Sequence, residues 1–100
     1  MKYVLEWTAR QGGSAKDNLA SLKRSLELLS KWTPSMTVHQ FVSRVDSRGG
    51  FVVGETDDPV ELAKDCAISS PFVEFAIHPV IDIEQGSAVL QAGVDFNETH

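Results

Sequence analysis

The chain has 100 residues, of which 42% are hydrophobic and 23% charged, and its net charge is −5. This length fits one domain spanning residues 1–100, and the composition is that of a folded globular protein. The nine basic residues are scattered along the chain, which argues against a nucleic-acid partner or an anionic membrane surface. Because there is one cysteine, no signal-peptide pattern and no long apolar run, we expect a cytoplasmic protein without a membrane anchor.

The first half of the chain has the periodicities of a strand, a helix and a β-hairpin. Residues 2–8 alternate as a strand does, and four leucines at positions 19, 22, 26 and 29 form one stripe of a helix. Ser14 is expected to cap this helix, and Pro34 follows its end. Residues 38–45 and 51–56 are predicted to be strands, joined by a turn whose glycines, Gly49 and Gly50, tolerate positive φ.

The second half adds a helix, a strand and a last helix. Asp58 and Pro59 predict the start of a short helix that ends before Pro71, and residues 72–80 are predicted to be the fourth strand. Asp82 is expected to cap a C-terminal helix. The order βαββαβ plus this helix predicts an α+β, ferredoxin-like fold whose four-stranded antiparallel sheet has the order 4-1-3-2.

Side-chain alternation divides the predicted sheet into two faces. The face expected beneath the helices holds Tyr3, Leu5, Trp7, His39, Phe41, Ser43, Val45, Phe51, Val53, Glu55, Val73, Phe75 and Ile77. The opposite face combines Val4, Val38, Val42, Val52 and Ala76 with Glu6, Gln40, Arg44, Glu74 and His78. Four valines suit a face packed on a second copy, which predicts a homodimer through the open sheet face. An ordinary exposed face that is partly apolar is the alternative.

Two ionisable residues of the helix-side face, His39 and Glu55, are the candidate catalytic pair. The carboxylate would fix the imidazole tautomer and raise its basicity. With the first strand taken as parallel to the third, Trp7 is expected at the same edge as this pair. Trp7, Phe41 and Phe72 are then the candidate ligand-binding residues of a pocket between sheet and helices. A polar contact near the surface is the alternative interpretation of the His–Glu pair.

Several short motifs resemble those of a known family. They are Met1-Lys2-Tyr3 with Trp7, the segment from Phe41 to Asp46, Gly49-Gly50-Phe51, the segment from Glu55 to Pro59, and Pro71-Phe72. Together they cover nearly the whole chain and are similar to DUF3303, a family of short bacterial proteins catalogued as a domain of unknown function. The resemblance implies the dimeric α/β-barrel superfamily, which includes cofactor-free monooxygenases, haem-degrading enzymes and lactone isomerases. The resemblance does not identify a reaction for this chain, because proteins that share a fold can have unrelated functions.

Two functions stay open at this stage. The first is binding or transformation of a small apolar or aromatic molecule, as in a cofactor-free monooxygenase or an isomerase, with His39 as the acid/base. The second is a non-catalytic dimer that acts as a ligand sensor or an assembly module. The chain has no dinucleotide or P-loop glycine pattern and no three converging metal ligands, so neither a cofactor nor a metal is predicted. Its asparagines, Asn18 and Asn97, do not match the site of the haem-degrading enzymes.

Overall fold

The computed structural model describes residues 1–100 as a four-stranded sheet with three helices. The elements are β1 (Lys2–Ala9), α1 (Ala15–Lys31), β2 (Thr37–Ser43), β3 (Gly49–Glu55), α2 (Pro59–Ser69), β4 (Val73–Val80) and α3 (Ile83–Thr99). The strand order β2-β3-β1-β4, with every neighbouring pair antiparallel, is the predicted order read from the other edge. The ferredoxin-like plan with a C-terminal helix is therefore confirmed. None of the helices combines the length and the apolar character that crossing a membrane requires.

The helices begin at the residues that the sequence marks as caps. Ser14 Oγ accepts a hydrogen bond from the Asp17 N–H at 3.1 Å, at the start of α1. The Asp58 carboxylate accepts one from the Val60 N–H at 3.0 Å, at the start of α2. These bonds satisfy N–H groups that have no partner within the helix. Asp82 occupies the N-cap position of α3 without making a capping bond; its carboxylate pairs instead with the Lys2 ammonium at 2.5 Å.

The directions of the strands correct one expectation of the sequence analysis. β1 runs antiparallel to β3, so the parallel arrangement taken for these two strands is wrong. Crossover helices join parallel strands, which makes β1 parallel to β2, and β3 lies between them in the opposite direction. Trp7 consequently pairs with Gly50, whereas Glu55 pairs with Lys2 at the other end of β1.

The assignment of side chains to faces was wrong for β3. Val52, predicted on the open side, lies in the core cluster beneath the helices, and the alternating neighbours Phe51, Val53 and Glu55 project to the opposite face. The Arg44 N–H donates to the Gly49 carbonyl at 2.7 Å, which leaves residues 45–48 as the hairpin turn. With an even number of turn residues, each residue of β3 lies on the face opposite to the one that an odd number would give. Positive φ in this turn occurs at Ser47, with φ 62°, and at neither glycine.

A β-bulge in β2 changes the face of His39. Val38 pairs with Gly54 and Gln40 pairs with Val53, so His39 is the extra residue on its strand. Val38 packs against the core cluster beneath the helices, contrary to the prediction that placed it on the open side. His39 projects to the opposite side, where it meets Glu55.

The side of the sheet that α1 and α2 leave uncovered is called the open face here. Its apolar members are Val4, Val42, Phe51, Val53, Ala76 and Val80. Its polar members are Lys2, Glu6, Thr8, Thr37, Gln40, Arg44, Glu55, Glu74 and His78, with His39 at the bulge. Compared with the prediction, this face loses Val38 and Val52 and gains Phe51, Val53 and Val80, and so remains substantially apolar.

The core beneath the helices is thin. Eight of the 100 residues are buried, and the core cluster consists of Leu5, Met36, Val52 and Leu62. The leucine stripe predicted on α1 does not join this core, because its members Leu19, Leu22, Leu26 and Leu29 are 45–69% exposed. The half-buried side of α1 carries Ser21, Ser25 and Leu28 instead. No residue of α3 is buried, and the molecule is elongated, with extents of 60 × 27 × 21 Å.

Candidate functional site

A cavity of about 370 Å³ lies between the sheet and the helices α1 and α2. Its sheet side is formed by Leu5, Trp7, Phe41, Val52, Val73 and Phe75. Its helix side is formed by Leu28, Leu29, Lys31, Trp32, Thr33, Met36, Asp65, Cys66, Ile68 and Ser69. Twelve of these 16 residues are hydrophobic. The volume is more than twice that of an engineered apolar cavity that binds benzene, roughly 150 Å³, so one or two rings fit.

Three aromatic side chains meet at one side of the cavity. Phe41 packs edge-to-face against Trp7, with ring centroids 5.1 Å apart, and against Trp32, with centroids 5.3 Å apart. Gly50 permits this arrangement, because a β-carbon at that position would overlap the Trp7 ring. Since these are the two tryptophans of the chain, intrinsic fluorescence reports directly on the cavity.

Three titratable side chains line the cavity, namely Lys31, Asp65 and Cys66. The Asp65 carboxylate accepts a hydrogen bond from Ser35 Oγ at 2.7 Å. Burial, reinforced by the negative charge of Asp65, raises the pKa of the Cys66 thiol, which therefore stays protonated at neutral pH. The ammonium group of Lys31 takes part in no ion pair of the structure. The Asp65 carboxylate is likewise without an ion-pair partner, so the cavity carries one cation and one anion that no salt bridge compensates.

His39 and Glu55 meet as predicted, but they do so outside the cavity. His39 Nε2 lies 2.9 Å from Glu55 Oε1, and the two side chains are 45% and 47% exposed. Both belong to the open face, and neither lines the cavity. Along β3, Glu55 is five residues from Gly50, the partner of Trp7, which corresponds to roughly 17 Å. The expectation that Trp7 shares an edge with this pair is therefore wrong.

Two of the three predicted ligand-binding residues line the cavity, and the third lies outside it. Trp7 and Phe41 line the cavity, whereas Phe72 does not. The ring of Phe72 lies beneath the Arg24 guanidinium, at 5.1 Å, in a cation–π contact. Trp32 also lines the cavity and was not among the predicted residues, although its position four residues after Leu28 continues the half-buried side of α1. No three His, Cys, Asp or Glu side chains come together as a metal site.

Comparison with known proteins gives a family and no activity. The model of a domain of unknown function, DUF3303, matches residues 1–94, a range that includes the whole sheet, α1, α2 and most of α3. No curated protein matches the chain. The extent of the family match shows that this chain belongs to the DUF3303 family.

Proposed function

We propose that the protein binds a small apolar or aromatic molecule carrying an anionic group, in the cavity between the sheet and α1 and α2. The observation that supports this proposal is the composition of the cavity walls. Four aromatic and eight further hydrophobic side chains line the space, and Lys31 contributes a cation without an ion-pair partner. Predominantly apolar walls with a few polar groups are typical of small-molecule sites.

The apolar walls and the lysine have different roles in this proposal. Burial of apolar ligand surface contributes roughly 25 cal/mol per Å², and aromatic pairs add about 0.5–1.5 kcal/mol each. An exposed ion pair adds about 1 kcal/mol at most. Affinity therefore comes from contacts with residues such as Trp7 and Phe41. Lys31 gives a preference for the anionic ligand over its neutral analogue.

The position of the His–Glu pair favours binding over catalysis. A general base has to come within about 3 Å of the proton that it removes, directly or through one water molecule. His39 and Glu55 lie on the open face, so they do not approach a ligand in the cavity. Cys66 lines the cavity, but a protonated thiol is a poor nucleophile. A ligand-binding module or sensor fits this geometry better than a monooxygenase or isomerase that relies on the pair.

The second part of the proposal is a homodimer formed through the open face. Six apolar residues of this face are without a partner in the single chain. Its charged groups are largely paired internally: Arg44 lies 3.7 Å from Glu6, and Glu74 lies 2.9 Å from Arg10. Charges that are already paired lower the penalty for removing the face from water. A second copy of the same sheet is the partner that we propose.

Ligand titration tests the binding site. Phenylbutyrate and the neutral phenylbutanol are added to the purified protein, and binding is followed by tryptophan fluorescence and by calorimetry. We expect saturable binding of both, with phenylbutyrate preferred by less than about tenfold, the limit of an exposed ion pair. Replacing Lys31 with Gln should remove the preference and leave phenylbutanol binding unchanged.

Two aromatic residues provide a matched pair of variants for the same titration. Phe41→Ala removes a ring from the cavity and should weaken both ligands by about tenfold. Phe72→Ala removes a ring of the same size outside the cavity and should change affinity by less than about twofold. Absence of saturable binding, or equal losses in the two variants, would contradict the proposed site.

A further inference from the structure

We propose that α3 of one copy docks along α1 of a second copy, so that the dimer exchanges its C-terminal helices. This inference rests on the homodimer part of the proposed function and is independent of what the cavity binds. It accounts for two apolar helix surfaces that have no partner within one chain.

The first surface is one side of α3. Its large apolar members are Ile83, Val89, Leu90, Val94 and Phe96, which are 49–79% exposed. At 100° per residue these side chains fall within one broad arc, and the acidic residues lie outside it. The second surface is the leucine stripe of α1, formed by Leu19, Leu22, Leu26 and Leu29. Each helix has 17 residues, about 25 Å, so the two surfaces match in length.

The charges of the two helices are complementary. α1 carries four basic and two acidic side chains, which gives a net charge of +2. α3 carries three acidic and no basic side chains, which gives −3. Lys16 and Lys23 flank the leucine stripe, because each lies three residues before one of its members. Glu98 likewise flanks the apolar side of α3, because it lies four residues after Val94. Pairing α3 with the α3 of the second copy would instead bring like charges together.

The area of the open face alone is small for a dimer. Four strands spaced about 4.8 Å apart, each of seven or eight residues, cover roughly 500 Å². A standard interface buries about 800 Å² on each partner. A helix about 25 Å long and 10 Å wide adds roughly 250 Å² where α3 docks and a similar area where α1 receives the second α3. The exchange therefore brings the interface to the standard size.

The start of α3 favours the second copy over the helix's own chain. The Asp82 carboxylate and the Lys2 ammonium are 2.5 Å apart, which ties the N-cap residue of α3 to the beginning of β1. From this point α3 extends beyond the sheet, as the 60 Å long axis requires. Docking along the leucine stripe would also cover Leu29, which lines the cavity, so the second copy would form part of the outer wall of the ligand site.

Charge reversal on the full-length chain tests the exchange. One variant carries Asp95→Lys and Glu98→Lys on α3, and the other carries Lys16→Glu and Lys23→Glu on α1. Dimer dissociation constants are measured by sedimentation equilibrium at low ionic strength, where exposed charges are least screened. Each variant alone should dissociate at least about tenfold more readily than the natural chain. An equimolar mixture should return to within about threefold of the natural value, since both helix pairs in the mixed dimer regain opposite charges.

The mixture distinguishes exchange from folding back onto the same chain. In a folded-back arrangement the charges clash within each chain, so mixing restores nothing. The control variant Lys64→Glu alters an exposed lysine of α2 and should leave the dissociation constant unchanged. Circular dichroism establishes that every variant is folded. A mixture no tighter than its components, or a natural chain that is monomeric, would overturn the exchange. Phenylbutyrate binding that persists in such a monomer would leave the cavity site intact.

Discussion

Val52 and Val53 are neighbours in sequence that the structure places on opposite sides of β3. Val52 is 4% exposed and belongs to the core cluster, whereas Val53 is half-buried on the open face. Threonine has nearly the same shape as valine, so a Val→Thr substitution tests the polarity of each environment with little change of volume. Both residues favour strands, which keeps the intrinsic preference almost constant.

The expected magnitudes follow from the partners available to the new hydroxyl. At position 52 it would be buried among Leu5, Met36 and Leu62, whose side chains offer no hydrogen-bond partner stronger than the weakly accepting Met36 thioether. An unsatisfied buried hydroxyl costs about 1–3 kcal/mol. For a domain of this size each 1 kcal/mol lowers Tm by about 4–8 °C. At position 53 the hydroxyl reaches water in the single chain, and we expect a change within about 0.5 kcal/mol.

Urea unfolding followed by circular dichroism measures both variants over a range of protein concentrations. The loss in Val52→Thr should be the same at every concentration, because the core lies within one chain. The loss in Val53→Thr should be small in dilute solution and grow where a second copy covers the open face. A greater loss for Val53→Thr in dilute solution would show that the register of β3 and the identity of the open face are wrong.

Three further predictions concern single side chains. The hydroxyl of Ser25 is buried without a partner, so Ser25→Ala should raise the free energy of unfolding by about 1 kcal/mol in urea titrations. Burial raises the pKa of Cys66 above its ordinary value of 9.0, so the unfolded chain ionises first and stability should fall as pH rises past that value. Cys66→Ala should remove this dependence in unfolding curves recorded on either side of pH 9.0. Because the His39–Glu55 pair lies outside the cavity, His39→Ala should change phenylbutyrate affinity by less than about twofold in calorimetry.

Local signals in the sequence were sufficient for the elements and their order. Ser14 and Asp58 cap helices because their side chains fit the N-cap, and the two crossovers allow few strand orders. The direction of β3 could also have been predicted from the sequence. Two interleaved crossovers require β1 and β3 to be antiparallel, which places Trp7 and Glu55 at opposite ends of the sheet.

The faces of β2 and β3 depend on details that the sequence does not signal. The four-residue turn with Ser47 at positive φ sets the parity of β3, and a turn one residue shorter would reverse it. The bulge at His39 changes parity again within β2. Similarly, the leucine stripe identifies the apolar side of α1, but it does not identify the surface that covers this side. Hydrophobic periodicity is the same whether the partner is the chain's own sheet or another molecule.

The bulge in β2 and the four-residue turn between β2 and β3 together explain why the cavity is apolar. They place Val38 and Val52 beneath the helices and move His39 and Glu55 to the open face. The core that results is small, and three apolar surfaces are left in water, namely the open face, the leucine stripe and one side of α3. In the proposed dimer the two open faces cover each other and each α3 covers a leucine stripe. Much of the apolar burial then depends on association, so the free energy of unfolding of the natural chain should increase with protein concentration.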